Sequence, residues 1–380
     1  MSNPCPKFKS LQPAVDPKNL PGFLIDWELT LKCNLDCPYC SDSPAAGKGG
    51  HWTLAEHPPV NECLSGIDFF YEYTDLYMQT KPRWNRRVVL NVYGGESLFH
   101  PDIVQILQAC HTKYKKYDWP LTITTTSNAV VGARRMAEII PLIDEFTLSF
   151  HVSALPKQKK LFRENALKIK DAGKRLKIIV MMSVEYEVWP ELLELIEWCK
   201  SNNIRYYAKS VDGFFVPYNK QQLEWFAIDK KSDDTVFKKE KTNLSEQGRS
   251  CCGGRQVCTS NNLKEITNWV QGNNFTGWSC SVNHFFLFVK QHDGKIFVNK
   301  DCRMDFDSRA NQPIGNLSDP KKLLDYTREN IKNKTLPVIT CARDRCRCGL
   351  CAPKAESLET LNDIMKIHLT PEYREIFKSN

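Results

Sequence analysis

Short apolar runs that alternate with polar positions recur between residues 23 and 210 and predict β-strands. Each run is rich in β-branched or aromatic residues, as strands are. After the first run they return about every 24 to 33 residues, which is the rhythm of βα units in a parallel sheet. The predicted strands are Phe23–Thr30, Val88–Tyr93, Leu121–Thr126, Phe146–Phe150, Leu176–Met182 and Arg205–Ser210.

Helical patterns lie between these strands. Pro101–Tyr114 opens with Pro and Asp, as helices often do, and Ile103, Ile106, Leu107 and Cys110 keep helical spacing. The other predicted helices are Asn61–Leu76, Pro156–Ala172, Pro190–Lys200 with Leu192, Leu193, Ile196 and Trp198 as core positions, Pro320–Lys332 and Glu356–Ile367.

Six strands alternating with helices predict the α/β class and an open, partial (β/α)6 barrel of the TIM type. The apolar pattern weakens after Ser210, and residues 229–250 are charged, with many lysines. We therefore predict a proline-rich lead-in at 1–21, a barrel at 22–228, a charged linker at 229–250 and a cysteine-rich domain at 251–380.

Three cysteines follow the first predicted strand, at Cys33, Cys37 and Cys40. Three thiolates in eight residues can hold three irons of a cubane cluster and leave the fourth iron open. A zinc site normally takes a fourth protein ligand nearby, and the next cysteine is Cys63. The spacing therefore favours an iron–sulfur cluster over zinc.

Composition places the chain among globular proteins that work in a reducing compartment. It has 380 residues, 42% of them hydrophobic, and 16 cysteines, nine of which fall between Cys251 and Cys351. Clustered cysteines without a signal peptide point to metal binding rather than disulfides. We expect a cytoplasmic protein without a membrane span. The net charge of +8 is compatible with an anionic substrate.

At this point the sequence resembles the radical S-adenosylmethionine (SAM) superfamily. The resemblance rests on the cysteine triad and on Gly94-Gly95-Glu96, one βα unit further on, and it covers residues 22–215. It implies that Cys33, Cys37 and Cys40 hold a [4Fe–4S] cluster. It also implies that Gly94, Gly95 and Glu96 bind the SAM amino group, although Ser97 replaces a common proline.

The resemblance also implies further contacts to SAM from the ends of the later strands. Tyr39 takes the position of the ring beside adenine, for which loop packing is the alternative. Asn128 lies in a corner similar to Thr-Asn-Gly, and Ser149 or His151 would contact the ribose, although His151 fits a structural role equally well. Met182 would pack against adenine or, as an alternative, belong to the core.

The implied reaction is reductive cleavage of SAM to a 5′-deoxyadenosyl radical, which abstracts hydrogen from a substrate. An electron donor such as flavodoxin or ferredoxin would supply the electron.

The cysteines of the last third resemble a SPASM-type auxiliary-cluster domain. His292–Phe297, with Gly294, and Ile314–Leu317 fit that domain, whereas Asn299 stands where a cysteine is usual. The resemblance implies one or two auxiliary [4Fe–4S] clusters, and a zinc knuckle at residues 341–351 is the alternative. The implied ligands are Cys252, Cys258, Cys280, Cys302, Cys341, Cys346, Cys348 and Cys351.

Adjacent cysteines rarely bind one cluster together, so Cys251 is either a spare core cysteine or a hydrogen donor to a substrate radical. SPASM-like relatives mostly modify peptides or proteins, which makes a peptide or protein the expected substrate. Radical modification of a nucleotide or nucleic-acid base is the alternative. The basic runs Lys81–Arg87 and Lys113–Lys116 would serve that alternative, but they are also typical of a solvated loop and a helix end.

Overall fold

A computed structural model shows a mixed α/β molecule built on one large sheet. It describes residues 10–11, 22–40, 55–211, 218–226, 275–299, 312–336, 338–341 and 352–374. The helices within these residues are Val60–Gln79 (α1), Ile103–Tyr114 (α2), Ala133–Ile139 (α3), Pro156–Asp171 (α4), Trp189–Ser201 (α5), Pro320–Lys332 (α6) and Leu358–Met365 (α7).

The strands agree closely with the predicted ones in the first part of the chain and add several short strands elsewhere. They are Ser10–Leu11 (β1), Phe23–Thr30 (β2), Val88–Gly94 (β3), Leu121–Ser127 (β4), Glu145–Phe150 (β5), Arg175–Met182 (β6), Arg205–Ser210 (β7), Ser279–Cys280 (β8), Phe286–Lys290 (β9), Lys295–Phe297 (β10), Gly315–Asn316 (β11), Ile339–Thr340 (β12) and Lys354–Ala355 (β13).

Strands β2 to β7 lie side by side in sequence order, and every neighbouring pair is parallel. Helices α1 to α5 connect them in turn, one helix between each strand and the next. Parallel strands need such crossovers, because a short turn can join only antiparallel neighbours. This arrangement confirms the predicted partial (β/α)6 barrel.

The sheet continues past β2 into the last third of the chain, which the sequence did not predict. β9 pairs in parallel with β2, and β10 and β11 extend the edge in antiparallel register. The turn between β9 and β10 contains Gly294 at φ +68, a conformation that glycine adopts without strain. One nine-stranded sheet therefore crosses the predicted boundary between barrel and C-terminal domain.

All eight residues of β2 are buried because strands flank it on both sides and both of its faces are covered. Phe23, Ile25, Trp27 and Leu29 belong to the main core, which the helices share. Full burial of such a side chain contributes about 1.5–3 kcal/mol. β2 is therefore the central strand of the molecule, and it sets the position of the cysteine loop that follows it.

A second apolar cluster fills the inner face of the sheet near the amino ends of β2 and β3. It joins Leu24 and Val89 to Phe286 and Phe288 of β9 and to Cys280 of β8. β8 belongs to a small antiparallel sheet in the order β1-β13-β8-β12. Residues from both ends of the sequence thus close one end of the barrel and leave the carboxyl ends of the strands for a site.

The helix predictions were correct in position, with one correction to the core of α5. Ile103, Ile106, Leu107 and Cys110 of α2 are fully buried as predicted. In α5, however, Leu193 and Trp198 are only partly buried, and Leu195 and Cys199 take core positions beside Leu192 and Ile196. Within the described part of the chain, no helix combines the length and apolar content that a membrane span requires.

Candidate active site

The three cysteines lie on a loop that leaves the carboxyl end of β2, where parallel α/β sheets place their working groups. The Cys37 thiol is buried, and Cys33 and Cys40 are partly buried. A backbone bond from Cys40 N to Cys37 O, 3.0 Å long, closes the turn between the last two. The loop therefore holds three cysteine thiols in one partly enclosed region.

Gly94 and Gly95 press the end of β3 against this loop. Gly95 N donates to Thr30 O at 2.7 Å, and Glu96 N donates to Lys32 O at 2.8 Å. A Cβ on Gly94 would overlap Thr30 O, and one on Gly95 would lie 2.5 Å from Lys32 O. The close approach therefore requires glycine at both positions, because any side chain would push the cysteine loop away.

The Glu96 side chain is fully buried and ties three segments together. Its Oε1 accepts from Leu98 N at 3.0 Å and from Ser127 Oγ at 2.8 Å, and its Oε2 accepts from Asn128 N at 2.6 Å. Burial raises the pKa of Glu96 to about 7, while these hydrogen bonds oppose that rise. The carboxylate thus joins the end of β3 to the end of β4.

Asn128 connects that corner to the cysteine loop. Its Nδ2 donates to Asn34 Oδ1 at 2.8 Å and lies 3.8 Å from Cys33 Sγ, and its Oδ1 accepts from Val130 N at 2.9 Å. Asn34 Nδ2 in turn donates to Val130 O at 2.7 Å. The predicted residues Cys33, Glu96 and Asn128 therefore belong to one hydrogen-bonded unit.

Tyr39 and His151 also meet. The Tyr39 hydroxyl lies 2.8 Å from His151 Nδ1, and the two rings are nearly parallel. Burial lowers the pKa of His151 to about 4 and raises that of Tyr39, so both side chains are neutral near pH 7. His151, Asn128 and Ser149 line one narrow cleft, and all three were predicted from the sequence to belong to the same site.

Met182 lies away from this cleft. Its side chain is fully buried in the core between sheet and helices. Side chains alternate along a strand, so the neighbouring Met181, which is partly buried, faces the other side of the sheet. Strand alternation therefore favours Met181 over Met182 for a contact on the inner face of the barrel.

The donor set of the loop fits an iron–sulfur cluster. Burial raises the pKa of Cys33 to about 12 and that of Cys37 to about 11 in the metal-free chain. Iron binds thiolates, so occupancy of the site would release these protons. Among the residues that the structure describes, no three His, Cys, Asp or Glu side chains have the arrangement of a single-ion site.

A layer of histidines behind the loop was not predicted. His57 Nδ1 lies 3.1 Å from Thr30 Oγ1, and its ring packs 4.8 Å from that of His100. Lys32 Nζ donates to Ala55 O at 3.0 Å, which ties the loop to the segment before α1. Burial lowers the pKa of His57 to about 4. These contacts join residues far apart in sequence, so no local sequence motif predicts them.

Two of the predicted auxiliary ligands fall within the described residues. Cys280 is buried on β8, and Cys341 directly follows β12, the neighbouring strand. Cys341 N donates a hydrogen bond to Trp278 O at 2.8 Å, and Trp278 directly precedes β8. This bond holds the segment with Cys341 beside the strand with Cys280. Outside the described residues lie Cys251, Cys252, Cys258, Cys302, Cys346, Cys348 and Cys351.

The fold that carries this site is also found in solved structures of a protein that binds AdoMet. Among solved structures, a polyhistidine-tagged anSMEcpe with bound AdoMet matches with a TM-score of 0.50 and 11% identity, over 91% of this chain and 93% of that one. Native anSMEcpe with AdoMet gives a TM-score of 0.50 and 12% identity, over 83% and 84% of the two chains.

Streptococcus suis SuiB bound to S-adenosylmethionine matches with a TM-score of 0.49 and 14% identity, over 83% of this chain and 69% of that chain. Comparisons with protein-family models and with curated protein sequences gave no match. At these identities the likeness establishes the fold alone.

Proposed function

We propose that this protein is a radical SAM enzyme that generates a 5′-deoxyadenosyl radical and uses it to abstract hydrogen from a substrate. The observation that carries the proposal is the three-thiol loop at the carboxyl edge of the parallel sheet, pressed against Gly94 and Gly95. A turn alone does not need two glycines packed on the backbone of a cysteine loop. A site that holds both a cluster and a ligand at its open iron accounts for both features.

In this proposal Cys33, Cys37 and Cys40 hold a [4Fe–4S] cluster. When bound, the cluster and SAM supply one-electron cleavage chemistry, with flavodoxin or ferredoxin as the kind of electron donor. The Gly94–Gly95 backbone, which lies against the cysteine loop, would also lie beside the SAM amino group. Glu96 holds this backbone in place through its three internal hydrogen bonds.

Tyr39, Ser149 and His151 would bind and orient the rest of SAM. Ser149 and His151 line the same cleft, and in this proposal one of them contacts a ribose hydroxyl. Because burial keeps His151 neutral, its ring can hold a hydrogen bond to Tyr39 without placing a charge beside the ligand. The barrel wall keeps water from a radical that would react with any nearby C–H bond.

A peptide or protein side chain is the proposed substrate. The SPASM-like sequence features of the last third support it, including Gly294 in the β9–β10 turn. One solved structure of anSMEcpe contains AdoMet together with a Cp18Cys peptide, so in that protein the fold accommodates a peptide. One or two auxiliary [4Fe–4S] clusters on the C-terminal cysteines, and hydrogen donation by Cys251, belong to the same proposal.

Anaerobic reconstitution tests the central claim. The wild-type protein should bind more than four irons per chain and release 5′-deoxyadenosine with dithionite and SAM. The Cys33→Ala/Cys37→Ala/Cys40→Ala variant should lose this product and keep some iron on the C-terminal cysteines. Cys63→Ala is the matched control and should keep full cleavage, because Cys63 lies on α1 and is buried in the main core. SAM cleavage by the triple variant would refute the proposal.

A further inference from the structure

We propose that Asn128 tunes the reduction potential of the cluster by donating a hydrogen bond to the Cys33 thiolate. The inference rests on the proposed function, because it needs a cluster on the three-cysteine loop. Its geometric basis is the approach of Asn128 Nδ2 to within 3.8 Å of Cys33 Sγ. Sulfur accepts hydrogen bonds at longer distances than oxygen does, and this separation lies within that range.

The surrounding hydrogen bonds fix which end of the Asn128 amide faces the sulfur. Val130 N can only donate, so the atom 2.9 Å from it must be Asn128 Oδ1. Val130 O can only accept, so the atom 2.7 Å from it must be Asn34 Nδ2. Asn34 Oδ1 therefore faces Asn128 and accepts from Nδ2 at 2.8 Å. The assignment does not depend on distinguishing nitrogen from oxygen by their positions alone.

This network also directs the second Asn128 N–H. The amide nitrogen carries two hydrogens. One is taken by Asn34, and the amide plane then points the other toward Cys33 Sγ. The Asn128 side chain is 6% exposed, so water competes little for that hydrogen.

The donor is held rigidly from its own backbone. Asn128 N donates to the buried carboxylate of Glu96 at 2.6 Å. The next residue, Ala129, has φ +54, and its N donates to Ser127 Oγ at 2.8 Å. Asn165 Nδ2 holds Ala129 O at 2.9 Å. A left-handed non-glycine residue persists only where its surroundings determine it, so this corner is built for one conformation.

A fixed N–H donor at a cluster thiolate favours the reduced state. One-electron reduction adds negative charge that spreads onto the sulfur ligands, and a hydrogen bond to a charged acceptor is stronger than one to a neutral acceptor. Hydrogen bonds to the sulfurs are among the factors that set iron–sulfur potentials. Loss of the Asn128 donor should therefore make the cluster harder to reduce.

The test is an anaerobic redox titration followed by electron paramagnetic resonance on Asn128→Ala, Asn128→Asp and Asn34→Ala. Addition of SAM identifies the signal of the three-cysteine cluster. Asn34→Ala is the matched control, because it breaks the Asn34–Asn128 and Asn34–Val130 bonds, whereas Val130 N still holds Asn128 Oδ1 and keeps the amide donor at Cys33. Asn128→Asp keeps an oxygen that accepts from Val130 N and removes the N–H donor at Cys33. It therefore replaces Asn128→Ala in the test if that variant does not fold.

Both Asn128 variants should lower the reduced-to-oxidised ratio of this cluster about 3- to 10-fold at fixed potential. For a one-electron couple that ratio corresponds to a midpoint about 30 to 60 mV lower. Asn34→Ala and the auxiliary-cluster signals should keep the wild-type midpoint. Equal midpoints in the Asn128 variants and in Asn34→Ala would overturn the inference. Absence of any SAM-sensitive signal in the wild-type protein would instead overturn the proposed function.

Discussion

At the residue scale, Lys81 is the most unusual side chain of the described structure. It follows α1, is fully buried, and its Nζ has no hydrogen-bond partner. It lies 4.0 Å above the centre of the Phe285 ring, which packs against His368. Burial lowers the pKa values of Lys81, His284 and His368, and the charge of Lys81 lowers those of the two histidines further. A charged Lys81 therefore destabilises the fold.

Lys81→Met should stabilise the protein by about 1–3 kcal/mol near pH 7, the usual cost of burying a polar group without a partner. The direction in which stability changes with pH follows from the lowered pKa of Lys81. Below its ordinary value of 10.5 the unfolded state binds more protons, so the wild type loses stability as pH falls. The gain from methionine should therefore be larger at pH 7 than at pH 10.

Urea unfolding of both proteins at the two pH values measures this difference. Lys113→Met is the control, since the Lys113 ammonium lies 2.6 Å from Asp68 Oδ2 and is partly exposed. Its loss should cost stability rather than add it, by no more than about 1 kcal/mol for the ion pair. A destabilised Lys81→Met would show that the amine has a partner that the structure does not reveal.

The burial of Lys81 also shows a limit of sequence reasoning. The run Lys81–Arg87 reads as a solvated basic loop, and the prediction was wrong at its first residue. Phe285 and His368, which cover Lys81, lie more than 200 positions further along the chain. A local charge pattern indicates that a residue favours solvent exposure, whereas its actual burial depends on which distant segment packs over it.

Glu96→Gln tests the second buried charge. Leu98, Ser127 and Asn128 all donate to the Glu96 carboxylate, and an amide presents an N–H where one of these donors needs an acceptor. We expect a loss of about 1–3 kcal/mol in unfolding free energy, together with weaker SAM binding because the corner moves. Thermal unfolding and SAM titration should change together. Weaker SAM binding at unchanged stability would indicate that Glu96 contacts the ligand directly.

At the element scale, the strands could be predicted where their signal is local. β2 to β7 were placed within about one residue at each end, because each has its own apolar run and a helix separates each strand from the next. β9 was missed because its parallel pairing with β2 links residues more than 250 positions apart. The cysteine loop was placed correctly because it follows a strand whose ends are evident from its composition.

Gly95→Ala tests the contact between β3 and the cysteine loop. A Cβ there would overlap the Leu31 and Lys32 carbonyl oxygens, so the loop must move or the strand must shift. We expect a destabilisation of about 1–3 kcal/mol, as for other overpacked sites, and faster loss of iron from the three-cysteine cluster. Gly132→Ala is the control, because no atom lies within 4 Å of its added Cβ. Equal iron retention in both variants would contradict the contact.

At the scale of the whole molecule, both ends of the sequence complete the barrel. Ser10–Leu11 pairs with Lys354–Ala355 in the small sheet, and β9 to β11 extend the large one. The division at residues 229–250 stays a prediction, and the strands on either side of it belong to one sheet. The proposal of a peptide rather than a nucleic-acid substrate is also tested at this scale, because it depends on how charge is distributed over the whole surface.

The two basic runs are less available to phosphates than their sequence indicates. Lys81 is buried, Arg86 lies 3.5 Å from Asp118, and Lys113 is held by Asp68. Each phosphate neutralised on a single strand adds about 0.7 to the slope of log affinity against log salt. The two runs hold four other cations, so the slope should not exceed about 2.8 and binding to random single-stranded DNA or RNA should fall less than about 50-fold between 50 and 200 mM salt.

Fluorescence anisotropy with labelled random oligonucleotides, read across that salt range, measures the slope. The control is Lys113→Met/Arg86→Met, which removes two cations already paired to carboxylates and should leave the slope unchanged. Tight binding that falls by about 10³ or more would require six or more phosphate contacts. That result would favour a nucleic-acid substrate over a peptide, and a slope that drops in the double variant would locate the strand on these two runs.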